Sequence, residues 1–313
     1  MENILKNKKT NKIDNEKTSW NVKSNIKLLI KNWKFWFKLI IGLLPIISVI
    51  IFTSVTLSST LWFKHHGIFP NNWSPKYHTT LKELQSWSNF RITFVVIFRN
   101  LALYTTYSSF IFAAFFINSA FNTLKEGQGR YDNSNVGLLT MIVISFTLIC
   151  YNASLPITGD FKLWLPVQWM SMFLQHSVVP ILGVIYYFTC YQHHQLTYNK
   201  KTMLSLWGYS IAAILGYFLF FTILGYILKA THSWKLMPDM SFSGYFPYDF
   251  MEFTDPKASY SHGKIPMAAQ TFIAYSIFTI ITTGLYFAFY FAQNKISQKQ
   301  MNSQLIKKQC IKK

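Results

Sequence analysis

Apolar residues in this chain come in long blocks, not in alternating or amphipathic patterns. Each block is long enough to cross a hydrocarbon core of roughly 30 Å at about 1.5 Å per helical residue. Six blocks meet that length: 38–58, 100–121, 136–156, 170–190, 206–228 and 270–291. Only helices and closed barrels satisfy their backbone polar groups in lipid, and runs of this length specify helices. The expected fold is therefore all-α, a polytopic membrane protein with about six transmembrane helices and a transmembrane domain over 38–291. Pro45 and Pro180 fall inside blocks, where membrane helices tolerate them as kinks.

The polar stretches between and outside the blocks organise the rest. Residues 1–20 are rich in Lys and Asn, nearly free of large apolar residues, and read as a disordered basic tail. Over 21–37 the pattern changes: Lys23, Lys27, Lys31 and Lys34 recur every three or four residues, with Lys38 next in the series. Val22, Ile26, Leu29, Ile30, Trp33 and Phe37 occupy a different arc. Two readings fit: an interfacial amphipathic helix with its lysines toward anionic lipid, or a basic flank without helical order. Residues 292–313 form a second basic tail. The polar leader is too long, and lacks the small-residue cleavage site, for a cleaved signal peptide. Two large aromatic-rich loops, 59–99 and 229–269, lie on one side of the membrane by this count and either cap the bundle or form a lid over a site. Segment 91–98 either lengthens the second span or lies in the interface.

Charge sets the orientation. The formal net charge is +19, which in a soluble protein suggests nucleic acid. Here ten Lys fall within residues 1–38 and six within 293–313, so the basic residues flank apolar spans. That placement marks the cytoplasmic side beside an anionic leaflet and argues against nucleic acid as a partner. Lys125, Arg130, Lys200 and Lys201 fall on the same side, so both termini are expected in the cytoplasm. The Lys, Asn and Ile richness is that of an AT-rich bacterial genome, which makes a bacterial plasma membrane the expected location. Membrane lipids are the expected partners.

The candidate chemistry is sparse. Cys150, Cys190 and Cys310 have neither metal-ligand spacing nor a disulfide framework. The pairs His65–His66 and His193–His194 lie on opposite sides of the membrane, so no metal site is expected. Asp160, Asp239, Asp249, Glu252 and Asp255 all fall in the loops opposite the termini, and no acid falls inside a span. That pattern argues against a proton- or cation-coupled transporter. There is no phosphate loop, dinucleotide fingerprint or nucleophile elbow, so no cofactor is expected.

Polar residues inside the spans carry what signal there is. Thr105, Ser108 and Ser109 share one face of the second span. The third span ends with Tyr151 and Asn152, and the fourth carries His176. Counted along the helices, Thr105, Asn152 and His176 lie roughly 6–9 Å below the outer surface. A Thr hydroxyl and a His imidazole are the minimum parts of a nucleophile and its general base, suited to an acyl ester entering from the leaflet. Equally, Thr105 can bond its own helix and His176 can bridge two helices.

Three patches resemble a superfamily of six-span membrane proteins that includes uncharacterised bacterial families, notably in mollicutes, and the animal androgen-induced threonine hydrolases. Leu103-Tyr104-Thr105-Thr106-Tyr107-Ser108-Ser109 resembles a Tyr-Phe-Thr-x-x-Ser-Asn pattern, with Ser109 in place of its Asn. Tyr151-Asn152 and His176-Ser177-Val178-Val179-Pro180-Ile181-Leu182 resemble Tyr-Asn and His-x-x-x-Pro-Ile-Leu. Tyr245-Phe246-Pro247-Tyr248-Asp249-Phe250 and the two residues after it resemble Tyr-Pro-Tyr-x-Phe-Leu-Asp. The resemblance implies Thr105 as nucleophile and His176 as base of a lipid-ester hydrolase, with Ser108, Asn152, Tyr248 and Asp249 in support. A lipid- or solute-binding protein and a structural membrane protein without catalysis are the alternatives.

Overall fold

The computed structural model describes residues 22–66, 85–158, 166–193, 199–233, 235, 245–254 and 266–311. The architecture is all-α. Its helices are α1 (Val22–Ile30), α2 (Trp33–His66), α3 (Asn89–Leu101), α4 (Tyr104–Phe121), α5 (Ser134–Thr158), α6 (Pro166–Thr189), α7 (Lys200–Ala230) and α8 (Met267–Ile311). Five of these, α2, α5, α6, α7 and α8, are long and apolar enough to cross a membrane, and α3 with α4 makes a sixth span bent by 65°. The chain is thus a multi-pass helical membrane protein of five to six spans. Its surface inverts the soluble pattern: Ile40, Ile50, Leu219, Phe220, Phe272 and Ile280 point outward along the spans, as lipid-facing side chains do.

The expected basic stripe divides in two. Residues 21–37 do not form one helix: α1 ends at Ile30, a turn follows, and Trp33 begins the first span. Lys27 and Lys31 are exposed, but Lys38 is fully buried on Glu126, so the stripe does not face lipid throughout. The segment read as a C-terminal tail continues α8 as helix to Ile311. Residues 1–20 lie outside the described residues.

Packing between spans rests on small residues and short polar bridges, as expected where lipid is as apolar as the side chains it replaces. Gly42 lets α2 approach α4, since a Cβ there would meet Ile117 Cγ1 at 3.0 Å. Gly183 of α6 lies under the Phe112 ring of α4, leaving no room for any side chain. Ser48 of α2 donates to the Ser171 carbonyl of α6 at 2.6 Å. Trp207 of α7 donates to Thr283 of α8 at 3.1 Å, and Thr222 and Tyr275 of the same helices share a 2.9 Å hydrogen bond. Phe218 is the hub of an aromatic core and stacks on Tyr104 and on Phe278.

The break between α3 and α4 exposes amides and carbonyls that have no helical partner. Two tyrosines from elsewhere supply them. Tyr217 of α7 donates to the Ala102 carbonyl, and Tyr248 accepts from the Tyr104 amide at 3.1 Å. Tyr248 belongs to segment 245–254, which is seated on α7 by Phe246 against Gly225 and by the Lys229–Glu252 ion pair at 2.8 Å.

Candidate functional site

Two concentrations of buried polar groups stand at opposite ends of the bundle. The first joins α4, α5 and α6 at the end where α8 begins. Ser108 of α4 donates to the Thr105 carbonyl at 2.9 Å and shares a 2.6 Å hydrogen bond with Thr147 of α5. Gln175 of α6 donates to Ser109 at 3.0 Å, and Ser177 donates to the Asn152 side-chain oxygen of α5 at 3.1 Å. Asn152 is exposed and also donates to the Leu148 carbonyl at 2.7 Å.

His176 lies at the centre of this layer and is fully buried. Pro180 has no amide hydrogen to give the His176 carbonyl four residues back, and α6 takes up a π-helical turn over Leu174–Val178. That turn buries Gln175, His176 and Ser177 together. The ring stacks on Tyr151 of α5 at 3.8 Å between centroids. Its Nδ1 lies 2.8 Å from the Met172 carbonyl, which can only accept, so Nδ1 carries the proton. In the neutral ring Nε2 then presents a bare lone pair. Nε2 is buried with no hydrogen-bond partner among the described residues.

Thr105 is half-buried in the first turn of α4, where the Leu103 carbonyl takes the Thr106 and Tyr107 amides. No hydrogen bond joins Thr105 to His176 among the described residues. Tyr248 approaches the same turn through the Tyr104 amide. Asp249 opens a short 3₁₀ turn, Asp249–Met251, and its side chain lies outside the described residues. The structure thus joins Ser108, Ser109 and Asn152 through hydrogen bonds among three helices, stacks His176 on Tyr151 of α5, and ties Tyr248 to the helix start that carries Thr105. Sequence reading missed Tyr151 as the ring beneath His176, and Gln175 and Thr147 as bridging groups. Gln175, beside His176 within an apolar span, was the available signal.

The second concentration lies at the end where α1 enters and α8 leaves. Lys38 donates to Glu126 at 3.0 Å, to the Ser119 carbonyl at 2.6 Å and to Ser119 Oγ at 3.2 Å. Lys34 bonds the other Glu126 oxygen at 3.0 Å, and Tyr186 donates to Glu126 at 2.6 Å. Tyr191 donates to Asp132 at 2.9 Å. Two ammonium groups face two carboxylates, so the cluster is formally neutral. Burial pushes the Glu126 carboxyl up, but Lys38, the Tyr186 hydroxyl and Lys34 together hold it below its ordinary value. Burial outweighs the tyrosine and serine hydrogen bonds at Asp132 and leaves its carboxyl raised. Sequence reading missed this cluster because both acids lie in a loop. The signal was that they are the only acids between residues 85 and 158.

Among the described residues, no three His, Cys, Asp or Glu side chains stand together as a metal site. No family model, no curated protein and no solved structure matches this chain.

Proposed function

We propose that the chain is an intramembrane hydrolase of lipid esters, with His176 as general base and Thr105 as nucleophile. The observation that carries this reading is the His176 ring: buried, held in one tautomer by the Met172 carbonyl, with Nε2 left as an unpartnered acceptor. A buried lone pair without a donor is costly in a merely structural histidine and is what a base requires. In the reaction, Thr105 Oγ1 attacks the acyl carbonyl while Nε2 takes its proton. The imidazolium returns that proton to the departing alcohol, and water, activated by the same base, releases the acid. Thr105 and His176 close to hydrogen-bonding distance with substrate present, since such bonds are often loose in the free enzyme. Of the amides in the first turn of α4, those of Tyr104, Thr106 and Tyr107 are already bonded, which leaves the Thr105 amide to face the developing oxyanion.

The ordered resemblance of the three motifs supports the same assignment. With it go the orientation, both termini cytoplasmic in a bacterial plasma membrane, and contact of the basic ends with anionic lipid. The test is fluorophosphonate labelling of membranes from wild type, Thr105→Ala and His176→Ala. Labelling that both folded variants lose is expected. Absence of labelling in folded wild type would return both residues to helix packing.

The second reading is a lipid-binding protein without chemistry. It is favoured by an open apolar groove of about 440 Å³ lined by Leu219, Ile223, Tyr226, Ile227, Ala230 and Phe253 among others. Under it, Thr105→Ala and His176→Ala leave binding of a spin-labelled lipid unchanged, and Ile223→Trp abolishes it.

A further inference from the structure

The inward face of α8 near its C-terminal end carries polar side chains that the bundle does not satisfy. Tyr290 Oη, Gln293 Nε2, Asn294 Nδ2 and Ser297 Oγ are buried atoms with no hydrogen-bond partner among the described residues. Their spacing of three and four residues puts them on one helical stripe. Tyr290 and Gln293 are fully buried and Ser297 is 1% exposed. Facing them is Ser134 at the start of α5, 3% exposed, whose Oγ is also unpartnered. Tyr187 fixes the juxtaposition: its hydroxyl lies 2.7 Å from the Ser134 carbonyl and 2.6 Å from Gln293 Oε1. Gln300, two turns on, clamps the end of α6 by accepting from the His193 amide and donating to the Tyr191 carbonyl.

The chemistry of these five atoms leans toward donation, although Asn135 Oδ1, next to Ser134 on α5, is an orphaned acceptor. Two are amide nitrogens, which only donate, and three are hydroxyls, which can turn to donate. The two amide nitrogens cannot ligate a cation, while a small anion is offered hydrogen-bond donors from two helices. The surroundings favour the same sign. Arg130, Lys200, Lys201, Lys295 and Lys299 reach the surface at this end, and the only acids described there, Glu126 and Asp132, are matched by Lys34 and Lys38. Such a field concentrates anions.

We propose that Ser134, Gln293 and Ser297, with Tyr290 and Asn294 beside them, form a binding site for a small inorganic anion such as a halide. Among the described residues no lysine or arginine hydrogen-bonds these atoms, so affinity comes from hydroxyl and amide donors and is modest. The site stands at the opposite end of the bundle from His176 and does not depend on the reaction proposed there.

The experiment is thermal unfolding of the purified full chain in detergent, followed by circular dichroism. Sodium bromide is titrated against sodium gluconate at constant ionic strength, which removes general screening. A saturable rise in Tm with bromide is expected, and Ser297→Ala and Gln293→Leu each move its midpoint at least roughly tenfold upward, the worth of one charge-assisted hydrogen bond. Should either variant fail to fold, anomalous bromide scattering between Ser134, Gln293 and Ser297 in wild-type crystals carries the test. A response that never saturates, or that both folded variants retain unchanged, or crystals in bromide without density there, would overturn the site and leave these groups to water.

Discussion

Replacing Glu126 by Ala removes the carboxylate on which two lysines converge. Lys38 has no exposed surface, and after the change it keeps hydrogen bonds only to the Ser119 carbonyl and hydroxyl, with the Asp132 carboxylate attracting it without a direct bond. Lys34 is 20% exposed and turns more readily to water. Removing one member of a buried ion pair costs about 3–5 kcal/mol, chiefly because the other charge is stranded. Glu126→Ala is therefore expected within that range, with Asp132 keeping it from the upper end. Lys38→Met costs less, about 2–3 kcal/mol, since Glu126 keeps Lys34, Tyr186 and the Gln192 amide. The double variant Lys38→Met/Glu126→Ala strands no lysine inside the bundle and is expected to fall short of the sum by about 2–3 kcal/mol. Reversible unfolding by steric trapping in bicelles measures all three. Single-variant costs under about 1 kcal/mol, the value of a solvated surface pair, would refute the burial on which the argument rests.

Further expectations follow from the same geometry. The Glu126 carboxyl is held below its ordinary value of 4.5, so its contribution to stability is complete above that pH and is lost as pH falls through the lowered value. The stability deficit of Glu126→Gln relative to wild type should then be constant near neutrality and shrink below pH 4.5. Asp132, raised from 3.8, acts in the opposite sense in both proteins and cancels only in part, since it shares Lys38 with Glu126. A deficit independent of pH from 7 down to 3 would contradict the pairing. Gly183→Ala drives a methyl group into the Phe112 ring and should cost about 1–3 kcal/mol in the same unfolding assay; Gly216→Ala, with open space around it, should cost less than about 0.5 kcal/mol. Finally, the proposed orientation places Cys310 in the cytoplasm, so a membrane-impermeant maleimide should label it only after cells are opened; labelling in intact cells would reverse the topology.

The class of this protein was legible in the chain alone, because the length of an apolar run is a local quantity and lipid admits few ways to satisfy a backbone. The blocks at 38–58 and 206–228 became α2 and α7 for that reason. Their ends were less legible: α2 runs on to His66, where residues too polar for the span still favour helix. His176 and Ser108 were also readable as candidates, since a polar side chain in an apolar span is conspicuous wherever its partner lies. What such residues touch was not readable. The 65° bend between α3 and α4 depends on Tyr217 and Tyr248 reaching the exposed backbone from distant segments. The tautomer of His176 depends on a carbonyl turned toward it by a π-helical turn. Lys38 looked like one more lysine in a lipid-facing stripe, and only the return of residue 126, 88 positions later, buries it against a carboxylate. Helix formation and membrane insertion are settled by neighbours along the chain, whereas charge pairing and orphaned donors are settled by which helices meet, and that is decided only when the bundle packs.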